Sequence, residues 1–239
     1  MNLSPHQHWK RSIGFLTRIY KYRRIRRLSP INARQIADMH FQNWSIPDHP
    51  NRRGLTIALE ATNPTAPFVL ETGTSAYGTD SSRLFDLFTL NTSGQFHSVD
   101  INPKASRSLR FQHGKQSHFH VADSVEFIET SLPMITDVVD LCYLDSWDVD
   151  WSNPSSSAEH GLNEFRAVSK HLRRNSVLVI DDTPKDIWLI PEGFQSEAVE
   201  FLETFGFLPG KGSLILELLK HEKFGEVIHH EYNVVIRML

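Results

Sequence analysis

The chain of 239 residues is long enough for one sizeable core, since 40% of its residues are hydrophobic and 22% are charged. Its single cysteine, Cys142, excludes an internal disulfide framework, and no apolar stretch approaches the roughly 20 residues that a membrane-spanning helix needs. The net charge of -3 is unevenly distributed along the chain. These features predict a soluble cytoplasmic protein built as one compact domain with an extension.

The N-terminal segment is strongly basic, since residues 1–35 hold nine of the 25 Lys and Arg residues and none of the 28 Asp and Glu residues. Its apolar residues recur at helical spacing: Ile13, Leu16, Ile19 and Tyr20. This spacing predicts a basic amphipathic helix, and charges interrupt it too often for a secretory signal. We expect a helical extension over residues 1–50 that packs on its own acidic domain (51–239) or makes a homo-oligomer. Contact with nucleic acid or a membrane surface is the less favoured alternative.

Helix-like and strand-like stretches alternate in the rest of the chain. Strands are predicted at 68–71, 95–101, 117–122, 138–145, 176–182, 213–219 and 233–239. Helices are predicted at 53–61, 79–91, 103–112, 123–131, 157–173 and 194–205, with Asp80, Asp123 and Ser157 as N-caps. The last two strands have no helix between them, which indicates an antiparallel pair at the sheet edge. The alternation elsewhere predicts an α/β fold with a mostly parallel sheet.

Acidic residues terminate or closely follow most of these strands. They are Glu71, Asp100, Asp123, Asp145, Asp181 and Asp182. Because the carboxyl ends of parallel strands share one edge of a sheet, these six carboxylates should converge. Their mutual repulsion must be relieved by cations or hydrogen-bond donors, so the edge is predicted to bind a ligand.

The bend after the first strand suggests which ligand. Gly73 and Gly78 would bring backbone amides close to it, although an ordinary strand-to-helix turn uses the same residues. Asp100 could accept hydrogen bonds from ribose hydroxyls, and Asp123 lies where an adenine would be within reach. A nicotinamide dinucleotide is the alternative, but Glu71 would face its pyrophosphate unfavourably and the third glycine of that motif is missing.

The motifs ETGTSAYG, SVDINP, VADSVEFI, VVDLCYLDSWD and VLVIDD resemble those of the class I S-adenosylmethionine-dependent methyltransferases. The resemblance covers residues 68–239 and implies a doubly wound, Rossmann-like sheet of seven strands with an antiparallel C-terminal pair. The first motif would hold the methionine end of the cofactor, the second the ribose and the third the adenine. The implied cofactor contacts are Glu71, Gly73, Thr74, Ser75, Gly78, Asp100, Ile101, Asp123, Ser124 and Asp145.

Two adjacent strand ends carry Asp145, Asp181 and Asp182, where oxygen ligands could hold a hard divalent cation. Their spacing resembles that of the metal-dependent O-methyltransferases of the catechol, caffeoyl-coenzyme A and macrolide-sugar types. The resemblance implies Mg2+, with Mn2+ or Ca2+ as alternatives, and a small diol, catechol or sugar-like molecule as methyl acceptor. Structural roles in turns are the alternative for these acids.

Two residues could serve as a general base in such a reaction. Asp148 lies at the offset where the catechol-type enzymes have a lysine, and His160 lies one helical turn before Glu164. A structural pairing of His160 with Glu164 explains its position equally well. Two other functions stay open, namely a metal-independent methyltransferase of RNA or protein and a non-catalytic cofactor-binding module.

Overall fold

The computed structural model describes residues 32–63, 65–74, 79–109 and 113–239. The predicted N-terminal amphipathic helix lies outside these residues, and so do the predicted cofactor contacts Ser75 and Gly78.

A mixed sheet of seven strands, in the order β3-β2-β1-β4-β5-β7-β6, forms the centre of the described part of the chain. The strands are β1 (Phe68–Thr72), β2 (Gln95–Asp100), β3 (Ser117–Val121), β4 (Val139–Leu144), β5 (Leu172–Ile180), β6 (Gly225–His230) and β7 (Val234–Met238). Strands β1 to β5 are parallel, and β7 pairs antiparallel with both β5 and β6. The predicted α/β fold with an antiparallel C-terminal pair is confirmed.

Helices connect the strands and cover the sheet. They are α1 (Ala33–Asn43), α2 (Arg52–Ala61), α3 (Ser81–Thr92), α4 (Pro103–Leu109), α5 (Ser124–Glu126), α6 (Ser155–Val168), α7 (Gln195–Phe205) and α8 (Ser213–Glu222). A π-helical turn over Phe127–Ser131 continues α5. In the described residues, no helix is both long and apolar enough to cross a membrane.

Alternate residues of each strand point to opposite faces of the sheet, and helices cover both faces. Val69, Tyr143 and Val179 pack in one cluster with residues of α1, α2 and α3. Leu70 and Ile180 pack in a second cluster, with residues of α6 and α8. Most of the strands therefore read as continuous apolar runs, as expected for a parallel sheet covered by helices on both sides.

The predicted strand at 213–219 is wrong, since these residues form α8. The run SLILELL is mostly apolar, so its hydrophobic pattern fits a strand and a helix alike, and its four leucines favour the helix. The true partner of β7 is β6, a half-exposed edge strand that starts at Gly225. Its polar residues hid it from an interpretation based on apolar runs.

The predicted N-caps have different outcomes. Asp123 does cap α5, because its side chain accepts a hydrogen bond from the Glu126 backbone amide. Asp80 precedes α3, but its carboxylate accepts from the Arg83 guanidinium instead of capping the helix. The assignment of Ser157 is wrong, because α6 already begins at Ser155 and the Ser157 hydroxyl donates to the Pro154 carbonyl.

Helix α1 lies within the predicted helical extension over residues 1–50, and it packs in the main core. Its Ile36, Ala37 and Phe41 belong to the same buried cluster as residues of α2 and α3. An N-terminal extension that ends at residue 50 stays a prediction, because the packing of α1 does not decide where the domain begins.

Candidate cofactor and acceptor site

The carboxyl ends of β1, β2, β4 and β5 lie at one level of the sheet. Thr72 is paired in register with Val99 on one side and with Leu144 on the other, and Leu144 is paired with Ile180. The residues that follow these four strand ends are therefore neighbours in space. This arrangement brings the predicted acids of β2, β4 and β5 to the same edge.

Gly73 makes the bend after β1 and fits against the chain that leaves β4. Its φ of +78° is unfavourable for any residue with a side chain, and an added Cβ would collide with the Asp145 carbonyl oxygen. The Gly73 amide donates to the Val99 carbonyl (2.9 Å), and the Asp145 amide donates to the Thr72 carbonyl (3.1 Å). Glycine is thus required here by two strand ends that approach each other closely.

Asp100 faces this bend, as its predicted role requires. One of its carboxylate oxygens accepts from the Thr74 amide (2.9 Å) and the other from the Asn102 amide (2.6 Å). Each carboxylate oxygen has two lone pairs, so the side chain retains capacity for two further donors. A pair of ribose hydroxyls would match that capacity.

A polar cavity of about 390 Å³ opens at this edge. It is lined by His49, Pro50, Asn51, Gly73, Thr74, Thr79, Asp100, Asp145, Ser146, Asp148, Asp181, Asp182 and Tyr232. Seven of these residues are predicted site residues: Gly73, Thr74, Asp100, Asp145, Asp148, Asp181 and Asp182. We call this space the acid cavity.

A smaller cavity of about 100 Å³ adjoins the acid cavity through Asp100 and Ser146, which line both. Its other lining residues are Val99, Ile101, Asp123, Ser124, Trp147 and His160. Ile101 is 75% exposed and Trp147 is 51% exposed, so both offer apolar surface to this space. We call this space the side slot. It brings together the predicted adenine contacts Asp123 and Ser124.

His160 lies in the side slot and takes part in a hydrogen-bond network. Ser146 donates to Glu164 (2.7 Å), so the ring Nε2–H of His160 donates in turn to the Ser146 oxygen (2.8 Å). The Glu164 carboxylate, which accepts from the ring, raises the pKa of His160 above its ordinary value. The position of His160 in the side slot favours a binding role over proton removal.

Glu71 is completely buried, and its carboxylate is held by serine hydroxyls. Ser81 donates to one oxygen (2.6 Å), while Ser82 (2.5 Å) and Ser98 (2.6 Å) donate to the other. Burial raises the pKa of Glu71 to about 7, despite these three donors. The predicted contact of Glu71 with the cofactor stays a prediction, and its observed partners tie β1 to α3 and β2.

Two of the three predicted metal ligands, Asp145 and Asp182, meet at the ammonium group of Lys211, while Asp181 has other partners. Lys211 forms ion pairs with Asp145 and, at 3.1 Å, with Asp182. Its side chain is only 3% exposed. Burial lowers the pKa of Lys211, but the three carboxylates outweigh that effect, so the pKa is raised and the group is charged.

The oxygens of Asp181 and the second oxygen of Asp182 also have protein donors. Asp181 accepts from the Tyr143 hydroxyl (2.6 Å), the Asn51 amide group (2.8 Å) and the Asp182 backbone amide (2.8 Å). Asp182 accepts from the Tyr232 hydroxyl (2.7 Å). Burial raises the pKa of Asp181 to about 6, and the neighbouring Asp182 acts in the same direction.

This arrangement does not fit a divalent cation. A cation that bridged Asp145 and Asp182 would need the position that the Lys211 ammonium takes. Within the described ranges, no three His, Cys, Asp or Glu side chains are grouped so that they could hold a metal ion. The acids converge as predicted, but their observed counter-charge is a lysine.

Sequence reasoning missed the donors of this cluster, which are Lys211, Asn51, Tyr143 and Tyr232. Lys211 could have been suspected from the sequence. Six converging acids require a positive charge nearby, and the tripeptide GKG places this lysine in a loop between two elements. Asn51 and Tyr232 lie far from the motifs in sequence. Only the tertiary fold brings them to the strand ends.

Comparisons with known proteins agree with this fold. No protein-family model and no curated protein sequence matches the chain. The solved structure of MycE methyltransferase from the mycinamycin biosynthetic pathway, in complex with Mg and SAH, is similar with a TM-score of 0.53 and 18% identity. The match covers 87% of this chain and 55% of MycE, so the chain spans about half the length of that protein.

A second similar structure is CalS11, a TDP-rhamnose 3'-O-methyltransferase of calicheamicin biosynthesis. It matches with a TM-score of 0.50 and 13% identity over 99% of this chain and 96% of CalS11. The chain has a class I methyltransferase fold. The predicted Rossmann-like, doubly wound sheet is confirmed, and at these identities the likeness concerns the fold alone.

Proposed function

We propose that the protein is an S-adenosylmethionine-dependent O-methyltransferase that acts on a hydroxyl group of a small, sugar-like molecule. The observation that carries this proposal is the pair of adjoining cavities at the carboxyl edge of the sheet, joined at Asp100. One cavity is narrow with exposed apolar walls, and the other is wide, polar and acidic. The adenine of the cofactor is a flat ring that suits the narrow cavity. Its ribose and methionine end is polar and positively charged, which suits the acidic one.

The side slot suits the adenine. Ile101 and Trp147 offer apolar surface to a flat ring, while Asp123 and Ser124 offer polar groups to its edge. His160 and Ser146 would complete the rim of the slot. Burial of the two exposed side chains against the ring would contribute favourably to binding.

The ribose and the methionine end would extend from the slot into the acid cavity. Asp100 would accept hydrogen bonds from the ribose hydroxyls, and Gly73 and Thr74 would lie along the chain of the cofactor. The cofactor carries an ammonium and a sulfonium group. A cavity lined by Asp145, Asp148 and Asp182 attracts both charges, because opposite charges lower the free energy of the bound state.

The polar remainder of the acid cavity supports a hydroxylated acceptor. Asn51 is buried in the wall of this cavity, where its side-chain amide donates to Asp181. His49, Asp148 and Tyr232 add further polar groups. The similar structure CalS11 is a methyltransferase of a sugar, which supports this substrate class.

The reaction is a direct displacement. The acceptor oxygen attacks the sulfonium methyl group, a C–O bond forms, the C–S bond breaks, and its electron pair neutralises the sulfur. The hydroxyl proton passes to a base, for which we propose Asp148 because it is exposed on the wall of the acid cavity. The metal-assisted form of this reaction, with Mg2+, Mn2+ or Ca2+, is not supported by the lysine-centred cluster.

Calorimetric titration with S-adenosylmethionine and SAH tests the cofactor assignment. The wild-type protein should bind both, and Asp100→Asn should weaken binding by about 10- to 100-fold, the range for a lost charge-assisted hydrogen bond. The matched control is Asp137→Asn, an exposed acid at the opposite end of the sheet, which should bind as the wild type does. Absence of binding to the wild type would refute the proposal.

Turnover tests the role of Asp148. With a panel of sugar-like acceptors at saturating cofactor, SAH release by Asp148→Asn should fall by about 10²- to 10⁴-fold, whereas cofactor affinity should fall far less because Asp145 and Asp182 remain. His160→Gln should show the reverse, with weaker cofactor binding and a smaller loss of turnover at saturating cofactor. An unchanged rate for Asp148→Asn would assign the base elsewhere.

A further inference from the structure

The ammonium group of Lys211 lies between two of the strand-end carboxylates. It pairs with Asp145 from β4 and with Asp182 beyond β5, and it is almost completely buried. Because an unpaired buried charge is costly, the lysine and the acids depend on each other. Lys211 is absent from the residues that line the acid cavity, so it contacts the acids from behind the cavity wall.

The backbone of Lys211 is held as firmly as its side chain. The Lys211 amide donates to the Asp182 carbonyl (3.1 Å), and the Gly212 amide donates to the Thr183 hydroxyl (2.9 Å). A Cβ on Gly210 would lie 2.6 Å from the Asp182 carbonyl oxygen, and Gly210 has a φ of +155°. The loop therefore fits tightly against the end of β5.

Helix α6 closes the other side of this loop. A Cβ added to Gly161 would collide with the Lys211 carbonyl oxygen. The loop is thus enclosed by β5 and α6, with glycines at each close approach. This close packing holds Lys211 against the acids.

We infer that Lys211 is a built-in cation that takes the place of a divalent metal at the strand-end acids, so that this site is metal-free. The ammonium and a metal ion would compete for the same carboxylate oxygens and would repel each other. Lys211 also holds Asp145 and Asp182 in fixed positions, which makes it a positioning residue. The statement that turnover needs no metal rests on the proposed function, whereas the statement about metal binding does not.

Direct measurement of Mn2+ binding by electron paramagnetic resonance tests the inference without an activity assay. The wild-type protein should show no saturable Mn2+ site at millimolar concentrations. Lys211→Met removes the charge and leaves the acids, so this variant should gain one Mn2+ site. Adding Asp182→Asn to that variant should abolish the new site. Lys220→Met, at an exposed lysine on α8, is the control and should behave as the wild type.

The results separate the inference from its alternatives. A saturable Mn2+ site in the wild type that is lost in Asp182→Asn would overturn it, and so would a folded Lys211→Met variant that gains no site. If Lys211→Met does not fold, the wild-type titration alone decides. Where the wild type methylates an acceptor, its rate should be equal in EDTA and in Mg2+, and a metal requirement would also overturn the inference. Failure to bind S-adenosylmethionine would refute the proposed function but leave the Mn2+ result valid.

Discussion

Glu71 illustrates how one buried side chain can impose a pH dependence on the whole protein. Its carboxyl group has three serine donors and no exposed surface, and burial raises its pKa from 4.5 to about 7. The folded state therefore retains this proton at pH values where the unfolded chain has lost it. Stability contributed by the protonated form is present below pH 4.5 and declines as the pH rises towards 7.

The variant Glu71→Gln should lack this decline. Between pH 4.5 and pH 7 the free energy of unfolding of the wild type should fall relative to that of the variant, by about 3 kcal/mol in total. Urea unfolding of both proteins at several pH values measures the difference. A wild-type free energy of unfolding that stays constant relative to that of the variant, or rises relative to it as the pH increases, would contradict the assignment.

Single residues also show how far the sequence could predict the site. Asp100, Asp145, Asp181 and Asp182 were predictable because each ends a strand, and parallel strands deliver their ends to one edge. Their partners were not, because a side chain such as Asn51 contacts Asp181 across 130 positions of the chain. The strand pattern predicts the position of each acid at the sheet edge, but it does not predict which residues donate hydrogen bonds to that acid.

At the scale of elements, the start of α2 is coupled to the end of β5. Asn51 precedes α2, and its amide group donates to Asp181 just beyond β5. The same amide group lies 3.4 Å from the Tyr143 hydroxyl of β4. One residue therefore joins a helix to two strands.

We expect Asn51→Ala to lower the free energy of unfolding by about 1–3 kcal/mol, since a buried acid loses a donor. The control is Asn91→Ala, whose amide donates to a carbonyl of its own helix, and its effect should be clearly smaller. Chemical denaturation measures both values. Equal effects of the two substitutions would argue against the coupling between α2 and β5.

The C-terminal elements show where pattern-based prediction fails. The run SLILELL is compatible with a helix and with a buried strand, so only helix propensity and tertiary packing distinguish the two. Strand β6 has the opposite difficulty, because an edge strand is half exposed and needs few apolar residues. The five parallel strands were predictable because burial on both faces makes them apolar throughout.

At the scale of the whole molecule, α1 packs in the main core. Phe41 is fully buried in the cluster that contains Leu55 of α2 and Phe85 of α3. The ring of His40 also donates to the carbonyl of Thr79, which lines the acid cavity. Helix α1 thus supports both the core and the site.

Phe41→Ala should lower the free energy of unfolding by about 3–5 kcal/mol and shift a single cooperative transition. Ile46→Ala, at a 55% exposed position in the same part of the chain, should have little effect. Thermal and urea unfolding test both variants. If α1 belonged to an independent extension, Phe41→Ala would leave the main transition in place.

Helix α6 contacts the loop at Lys211 through Gly161, so the same helix lies beside both cavities. His160, the preceding residue, faces the side slot, while Gly161 bears on the loop that delivers the lysine to the acids. A single methyl group at position 161 would push α6 and the loop apart. The shape of the side slot and the fit of the loop that carries Lys211 would then change together, so a substitution at this one position would affect both.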